Sequence, residues 1–409
     1  MLWEGTSFGN DNSPPKVPVW SLPGGTDCAR RRACARAHAK RDDPRKPPYG
    51  PAGLAWNTGF SIVWVVSLIG WMPNSARLRV HFLEYSMKKL VALVAALSAV
   101  FAFADTFPSK PISIVVPFSA GGPTDRVARD LAEAMRKPLG DISIVVDNVA
   151  GAGSSIGANK VAKAAPDGHV LLLNHIAMAS MPNLLRKMPF NIETDFEYLG
   201  MVNDVPMTVI AKPSLPAKNY KEFVAWLSAN KGKINLGNAG IGSASHLCGL
   251  MFQNALQIDM TAIPYKGTAP AMTDLIGGQI DLMCDQTTNT SAQIEAKKVN
   301  AYAVTTSKRL TTPALKDLPT LQESGLKGFE VTIWHGLYAP KGTPADVLAK
   351  INSALKVALK DPEFIKKQEA LGAVVVSDKR VEPAEHKKFV SSEISKWGPV
   401  IAAAKEYID

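Results

Sequence analysis

Five short segments combine glycine with hydroxyl, amide or basic residues in a pattern that suits the binding of an anion. Each follows a short apolar run and precedes a helix-like pattern, which predicts a strand, a tight turn and a helix start. Backbone N–H groups and hydroxyls at helix N-termini can hold a carboxylate without a buried cation. The segments are residues 119–125, 151–157, 240–246, 266–268 and 285–288.

Two interpretations are open for each segment. A tight turn followed by a capped helix explains any one of them equally well. In open α/β sheets, however, ligands bind beyond the carboxyl ends of the strands. Five such segments on one predicted sheet edge therefore favour a binding cleft.

Asp125 and Asp285 are the acidic residues of these segments. A carboxylate in the first turn of a helix is favoured by the helix dipole, which would make Asp125 a cap. The same side chain would repel a bare carboxylate, but it could hold an ordered water or a ligand amino group. Asp285 carries the same ambiguity.

Three basic residues lie beside the predicted site: His175, His246 and Lys266. Each could contact a ligand, but a hydrogen-bonded structural histidine or a solvated lysine is also consistent with the sequence. The spacing between the histidines and nearby acids does not match a metal-ligand pattern. We therefore expect no metal and no cofactor.

Two catalytic patterns nearly fit residues 151–157. Gly151, Gly153 and Gly157 resemble the dinucleotide fingerprint, but with one residue too many. The same segment matches G-x-S-x-G around Ser155, yet a nucleophile elbow needs its serine directly at a strand end. Here residues 147–152 intervene. A periplasmic hydrolase that uses Ser155 is kept only as an alternative.

The net charge of +10 is unevenly distributed. Residues 1–86 carry 11 Lys/Arg and 6 Asp/Glu, and Lys88 and Lys89 add two more positive charges. Residues 105–409 are left with a net charge of only +3. That balance excludes a nucleic-acid-binding signature and mildly favours a small anionic ligand.

The four cysteines do not form a disulfide framework by spacing. Cys28 and Cys34 lie in the N-terminal part, and Cys248 and Cys284 lie in the main body. We expect Cys248 and Cys284 to be buried thiols, because free cysteine behaves as a small hydrophobe. A disulfide is the alternative in an oxidising compartment.

The sequence from Met87, MKKLVALVAALSAVFAFA, has the pattern of a secretory signal peptide. It predicts a signal at 87–104, cleavage after Ala104 and a mature periplasmic protein, with an uncleaved anchor as the lesser alternative. Residues 1–86 have no pattern of a folded domain. They are expected to be disordered or a non-native extension, because their apolar run at 59–72 is shorter than a membrane span.

From residue 105 the pattern alternates between strands and helices, which predicts parallel sheets covered by helices. Two longer strand-like stretches, 198–211 and 329–339, divide the pattern into two sets. The expectation is an α/β protein of two doubly wound lobes, 105–205 with 333–409 and 206–332, joined by a two-crossing hinge. Strands are expected at 112–116, 142–146, 169–173, 234–237, 260–264, 280–284, 301–305 and 373–376. The clearest helix patterns are 123–137, 344–359 and 383–405.

Several motifs together resemble the substrate-binding proteins of tripartite tricarboxylate transporters, often called Bug receptors. The resemblance covers nearly all of residues 105–409 and none of residues 1–86. The matching stretches are PSKPISIVVPFSAGGPTD, DNVAGAGSSIGANKVAKAAPDGHVLLL, LGNAGIGSASHL, IPYKGTAPAMTDLIGGQIDLMCD and WHGLYAPKGTP.

The resemblance implies a periplasmic-binding-protein fold, type II-like, that closes on a small carboxylate. The ligand class would be a di- or tricarboxylate, an aromatic carboxylate or an amino acid. The implied protein is a soluble monomer that delivers this ligand to a two-component integral membrane permease. A ligand sensor for a signalling partner is the alternative use of the same fold.

The resemblance also implies a ligand-binding set in which residues of one lobe face residues of the other. Substrate choice would depend most on the regions around His175 and Asp285, where the family varies. The set is Phe118, Ser119, Ala120, Gly121, Gly122, Thr124, Asp125, His175, Gly240, Ser243, Ser245, His246, Lys266, Gly267, Asp285 and Thr287.

Overall fold

A computed structural model describes residues 107–404 of the chain. Its strands are β1 Ile112–Val116, β2 Ile144–Asn148, β3 Val170–His175, β4 Phe196–Ala211, β5 Asn235–Asn238, β6 Thr261–Pro264, β7 Leu282–Gln286, β8 Asn300–Val304, β9 Thr332–Pro340 and β10 Val374–Val375. Its α-helices are α1 Pro123–Arg136, α2 Ser155–Ala162, α3 Ala177–Leu184, α4 Tyr220–Ala229, α5 Ala244–Leu256, α6 Thr268–Ile276, α7 Thr287–Glu295, α8 Ala345–Ala358, α9 Pro362–Ala370 and α10 Pro383–Ala404.

Strand β1 is buried on both faces, as its run of β-branched residues predicts. Ile112, Ile114 and Val116 pack in the same core as the apolar face of α1. Val115 points to the other face and joins a second core with Leu172 of β3. This double burial fixes where β1 ends, and therefore where the loop before α1 is held.

The strands form one hydrogen-bonded path with the order β2-β1-β3-β9-β4-β7-β5-β6. The pairs β1–β2 and β1–β3 are parallel at one end of the path. The pairs β5–β6 and β5–β7 are parallel at the other end. The carboxyl ends of β1, β2, β5, β6 and β7 lead into the five segments that the sequence predicts to bind an anion.

Strand β4 joins the two ends because it has 16 residues. Its first part, up to Pro206, pairs antiparallel with β9. Its last part, from Met207, pairs antiparallel with β7 and β8. The predicted lobe boundary at 205/206 falls where β4 changes partners, and the one at 332/333 falls at the start of β9. The division into lobes stays a prediction.

Two strands are displaced from their expected positions. β2 and β7 each begin and end two residues later than the apolar runs suggest. In β2, pairing with β1 continues to Asn148 because an edge strand tolerates polar residues. In β7, Asp285 and Gln286 pair with β4, so they belong to the strand and not to the loop.

Two helices are absent from the sequence expectation. Helix α3 is buried on nearly every side and contains Pro182, so it has no amphipathic pattern. Helix α9 has a local sequence signal at its start. Asp361 caps it by accepting from the N–H groups of Glu363 and Phe364, and Pro362 occupies its first position.

A disulfide joins Cys248 of α5 to Cys284 of β7. The expectation of two buried thiols is therefore wrong, and the alternative of a disulfide is correct. Sequence spacing could not pair them, since they come together only when α5 packs against β7. The bond lies one residue from Asp285.

The predicted signal peptide and the extension before it, residues 1–104, lie outside the described residues. Within residues 107–404, every helix is too short or too polar to span a bilayer.

Candidate functional site

One small cavity lies where the carboxyl ends of the strands meet. Its volume is about 10 Å³, which is room for about one water molecule. None of the lysines or arginines that the structure describes lines it. The lining residues are Phe118, Pro123, Thr124, His175, Ala239, Ala244, Ser245, Thr268, Asp285 and Gln286.

Four helices of at least nine residues begin at this cavity: α1, α5, α6 and α7. Three of them, α1, α6 and α7, have no side-chain hydrogen bond capping their first turn within the described part of the chain. Their first-turn N–H groups therefore keep donor capacity, and the positive ends of the helix dipoles add to it. The electrostatic environment at this point favours an anion.

Asp125 holds the loop before α1 in shape. The side chain is 3% exposed and accepts hydrogen bonds from Gly121 N at 2.9 Å and from Arg129 Nε at 2.9 Å. Burial alone would raise the pKa of Asp125, but hydrogen bonds from Arg129, Gly121 and Asn148 lower that pKa below its ordinary value. The carboxylate is an ionised cap of its own loop, which is one of the two roles the sequence left open.

Phe118 and His175 form an aromatic wall of the cavity. Their rings stack with centroids 4.6 Å apart. His175 Nδ1 accepts from Ala177 N at 3.1 Å, which leaves the ring proton on Nε2. Burial lowers the pKa of His175 to about 3, so its imidazole is neutral near pH 7.

Asp285 is the acidic residue of the cavity wall. It is fully buried, and Oδ2 accepts from Asn289 Nδ2 at 2.6 Å. Oδ1 makes no hydrogen bond with any described residue. Burial raises the pKa of Asp285 to about 7. A buried polar oxygen without a partner in a native protein calls for an explanation.

The two sets of loops touch each other beside the cavity. Ser119 N donates to the carbonyl of Lys266 at 3.2 Å, and Ser180 Oγ donates to the carbonyl of Gly242 at 2.7 Å. Two glycines make this approach possible. A Cβ on Gly153 would collide with the carbonyl oxygen of Ile241, and a Cβ on Gly267 would collide with the Ser119 side chain.

The structure brings five of the sixteen sequence-predicted residues to the cavity wall. They are Phe118, Thr124, His175, Ser245 and Asp285. Of the others, Ser243 caps α5, His246 Nδ1 accepts from Gly242 N, and the Lys266 side chain is exposed. Those that do not line the cavity are Ser119, Ala120, Gly121, Gly122, Asp125, Gly240, Ser243, His246, Lys266, Gly267 and Thr287.

The predicted ligand-binding set omits half of the wall: Pro123, Ala239, Ala244, Thr268 and Gln286. All five lie within or beside the segments that the sequence marked. The signal that could have found them is position, because four of them lie at or next to a helix start. Small and apolar residues there bring backbone N–H groups to a ligand without a chemical signature of their own.

The catalytic and metal alternatives have no matching geometry. Ser155 begins α2 and does not lie at the end of a strand, where a nucleophile elbow would place it. Within residues 107–404, no group of three or more His, Cys, Asp or Glu side chains is arranged to hold a metal ion.

The chain is similar to several known proteins. A family model described as tripartite tricarboxylate transporter family receptor matches residues 127–405. A UPF0065 protein of Agrobacterium vitis is 46% identical over 300 residues, which are 73% of this chain and 86% of that protein.

Two solved structures share the fold and much of the sequence. The periplasmic binding protein BugD is 50% identical with a TM-score of 0.71, over 74% of this chain and 99% of that one. MatC from Rhodopseudomonas palustris, solved with bound malate, is 37% identical with a TM-score of 0.68, over 72% of this chain and 100% of that one. These likenesses confirm the α/β periplasmic-binding-protein fold expected from the sequence.

The family model describes a receptor and BugD is a periplasmic binding protein, so the hydrolase alternative at Ser155 is wrong. The family model covers more than half of the chain, and the relative from Agrobacterium vitis is 46% identical over 73% of it. The chain belongs to the receptor family of the tripartite tricarboxylate transporters.

Proposed function

We propose that this protein is a periplasmic solute receptor that captures a small carboxylate at the cavity between its two sets of loops. The observation that carries the proposal is the meeting of four helix N-termini at one cavity that no described lysine or arginine lines. Backbone donors then hold the carboxylate, and no cation has to be buried. The malate bound to MatC supports the ligand class.

The binding set has two sides in this proposal. Residues 118–125 and His175 act from lobe 105–205 with 333–409. Residues 240–246, Lys266, Gly267, Asp285 and Thr287 act from lobe 206–332. Residues that lie outside the wall act by shaping the loops: Asp125 holds the first loop, and the backbones of Ser119 and Lys266 join the two sides.

Ligand entry requires the two sides to separate. A cavity of about 10 Å³ is far smaller than pockets that hold small ligands, which measure roughly 300 Å³ or more. The described state is therefore a closed one, and opening breaks contacts such as Ser119 N to Lys266 O. A ligand that bridges both sides stabilises the closed state and shifts the population towards it.

The remaining roles follow from family membership and from the sequence before residue 105. We propose that residues 87–104 direct export and are cleaved after Ala104. The mature protein acts as a soluble monomer and hands its ligand to a two-component membrane permease that recognises the closed form.

A ligand screen tests the proposed function. Protein purified after expression of the full chain is heated with mono-, di-, tri- and aromatic carboxylates and with amino acids, and its melting temperature is measured. At least one class should raise the melting temperature in a concentration-dependent way, because a ligand that binds only the folded state stabilises it. If no carboxylate of any class shifts the transition, the receptor proposal fails.

A further inference from the structure

Two buried side-chain oxygens of the cavity wall lack a hydrogen-bond partner. Asp285 Oδ1 is buried without a partner among the described residues, and so is Gln286 Oε1. Both residues line the cavity. A glutamine amide can turn to present either its oxygen or its nitrogen, so Gln286 does not discriminate between ligands. An ionised carboxylate can only accept hydrogen bonds, so Asp285 in that form discriminates in favour of ligands that donate one.

Thr124, on the other side of the cavity, is held in one hydrogen-bonding role by a buried chain. Thr124 Oγ1 lies 3.3 Å from His335 Nε2, and His335 Nδ1 lies 2.8 Å from Asn203 Oδ1. Asn203 Nδ2 donates to Gln368 Oε1 at 2.8 Å, and Gln368 Nε2 donates to Asp130 Oδ2 at 2.8 Å.

The Asp130 carboxylate sets the direction of every bond in this chain. Because it accepts, Gln368 must present its nitrogen to it and its oxygen to Asn203. The Asn203 oxygen then faces His335, so Nδ1 of that ring carries the proton and Nε2 accepts. Burial lowers the pKa of His335 well below its ordinary value, which keeps the ring neutral. The Thr124 hydroxyl therefore donates its hydrogen bond to His335 Nε2.

The Thr124 hydroxyl thus offers the cavity an acceptor and no donor. Asp285 offers an ionisable acceptor from the opposite set of loops, and none of the described lysines or arginines lines the space between them. The other titratable group of the wall, His175, is neutral. A bare carboxylate would find donors at the helix starts and at His175 Nε2, but it would be repelled by the ionised form of Asp285.

We propose that the ligand is a carboxylate that also carries a protonated amino group, and that Asp285 and Thr124 receive that ammonium group while the helix starts receive the carboxylate. This inference rests on the proposed function and narrows it to amino acids and related zwitterions. An ammonium group supplies several N–H donors and the positive charge that the buried Asp285 lacks. Since burial raises the pKa of Asp285 to about 7, a cationic partner also keeps this carboxyl ionised.

Matched ligand pairs that differ only in the amino group test the inference. Isothermal titration calorimetry on protein purified after expression of the full chain compares succinate with aspartate, glutarate with glutamate, and adipate with 2-aminoadipate. In at least one pair the amino compound should bind about tenfold more tightly or better, as expected for a charge-assisted hydrogen bond in a buried site. Malate is measured beside succinate and aspartate, because it carries a neutral hydroxyl donor on the succinate skeleton.

Asp285→Asn is the diagnostic variant. It keeps an oxygen that can accept from Asn289 but removes the charge, so the preference for the amino compound should fall to about threefold or less. Asp259→Asn is the charge-matched control, because Asp259 belongs to the same predicted lobe and its side chain is 92% exposed. The control should keep the wild-type preference.

Each other outcome overturns a stated part of the proposal. If the compounds without an amino group bind as tightly as their partners in the wild-type protein, the ammonium inference is wrong while the receptor function stands. If malate matches aspartate, a neutral donor suffices and the cationic ligand is wrong. If Asp285→Asn keeps the wild-type preference, Asp285 is not its source. If no member of any pair binds, the proposed function fails together with the inference. The wild-type comparison does not depend on any variant folding.

Discussion

Asp125 fixes the shape of the loop before α1, and we propose that it affects ligand binding through that shape. Its carboxylate accepts from Gly121 N and from Arg129, and it lies outside the cavity wall. Replacing the carboxylate by an amide removes the charge-assisted bond to Arg129 and places an N–H₂ group where donors already point. The loop before α1 should lose its fixed shape.

We predict that Asp125→Asn weakens carboxylate binding by about tenfold and lowers the free energy of unfolding by about 1 kcal/mol, the usual size of a lost cap. Titration calorimetry and urea denaturation measure the two effects. Asp147→Asn is the control, because Asp147 also pairs with a basic residue, Lys160, but on the surface. Equal effects of both substitutions would contradict the role given to Asp125.

His386 makes the stability of the protein depend on pH. The ring is fully buried behind β9, and Nδ1 accepts from Gly200 N at 3.1 Å. Burial lowers the pKa of His386 from 6.5 to about 3. Between these values the unfolded chain binds a proton that the folded protein does not, so the free energy of unfolding falls as the pH falls through this window.

We predict that His386→Gln flattens this dependence. Between pH 7.5 and pH 5, the free-energy difference between wild type and variant should shrink by on the order of 2 kcal/mol, because only the wild type has this histidine to protonate on unfolding. Urea denaturation at the two pH values gives the comparison. A constant wild-type-to-His386→Gln difference across the pH range would contradict the assignment.

At the scale of elements, the sequence predicts helices and strands that depend on neighbouring residues, but it does not predict contacts between residues far apart in the chain. β1, the start of α1 and the Asn219 cap of α4 follow from apolar periodicity and capping residues within a few positions. The hydrogen bond from Thr124 to His335 spans 211 residues, and the one from His335 to Asn203 spans 132. Such pairs depend on the antiparallel register of β4 and β9, which no local pattern specifies.

The candidate site also has a part that the sequence predicts and a part that it does not. The glycine and hydroxyl segments mark its edges, since each turn and helix start is coded locally. The sequence could not show that Lys266 faces solvent while its carbonyl meets Ser119 N, because that depends on how the two sets of loops close. The buried state of Asp285 likewise required the true end of β7.

The loop that contains Gly153 forms part of the contact between the two sets of loops. Gly153 has a φ of +60° and lies against the carbonyl of Ile241, with no space for a Cβ. Gly140 has a φ of +86° but has no atom within 4 Å of the Cβ it would carry. Comparing alanine variants at the two glycines therefore separates the free-energy cost of a left-handed backbone from the cost of a steric clash with the other set of loops.

We predict that Gly153→Ala weakens ligand binding by at least about tenfold, whereas Gly140→Ala leaves affinity within about twofold of wild type. Both variants should lose about 1 kcal/mol of stability in the ligand-free protein, since both strain the backbone. Calorimetric titration with any carboxylate from the screen measures the affinities. Wild-type affinity in Gly153→Ala would show that close approach at Ile241 is not needed for binding.

At the scale of the whole molecule, β4 and β9 are the connections that must bend if the two sides separate. They pair with each other over most of their length, and irregular register interrupts the pairing near Gly200 and Asn203. Such irregular positions let paired strands twist without losing the rest of their ladder. A hinge built this way allows a rigid-body motion of one side against the other.

We predict that a carboxylate ligand reduces the radius of gyration of the wild-type protein in small-angle X-ray scattering. The cavity of the closed state is too small to admit a ligand, so the ligand-free protein must populate more open forms, and bound ligand shifts that population towards the compact one.

Gly153→Ala should remain at the larger radius even when ligand saturates it, because its added Cβ opposes the final approach to Ile241. Gly140→Ala should contract as the wild type does. An unchanged radius in the wild-type protein at saturating ligand would mean that entry occurs without separation of the two sides, and the hinge assigned to β4 and β9 would be wrong.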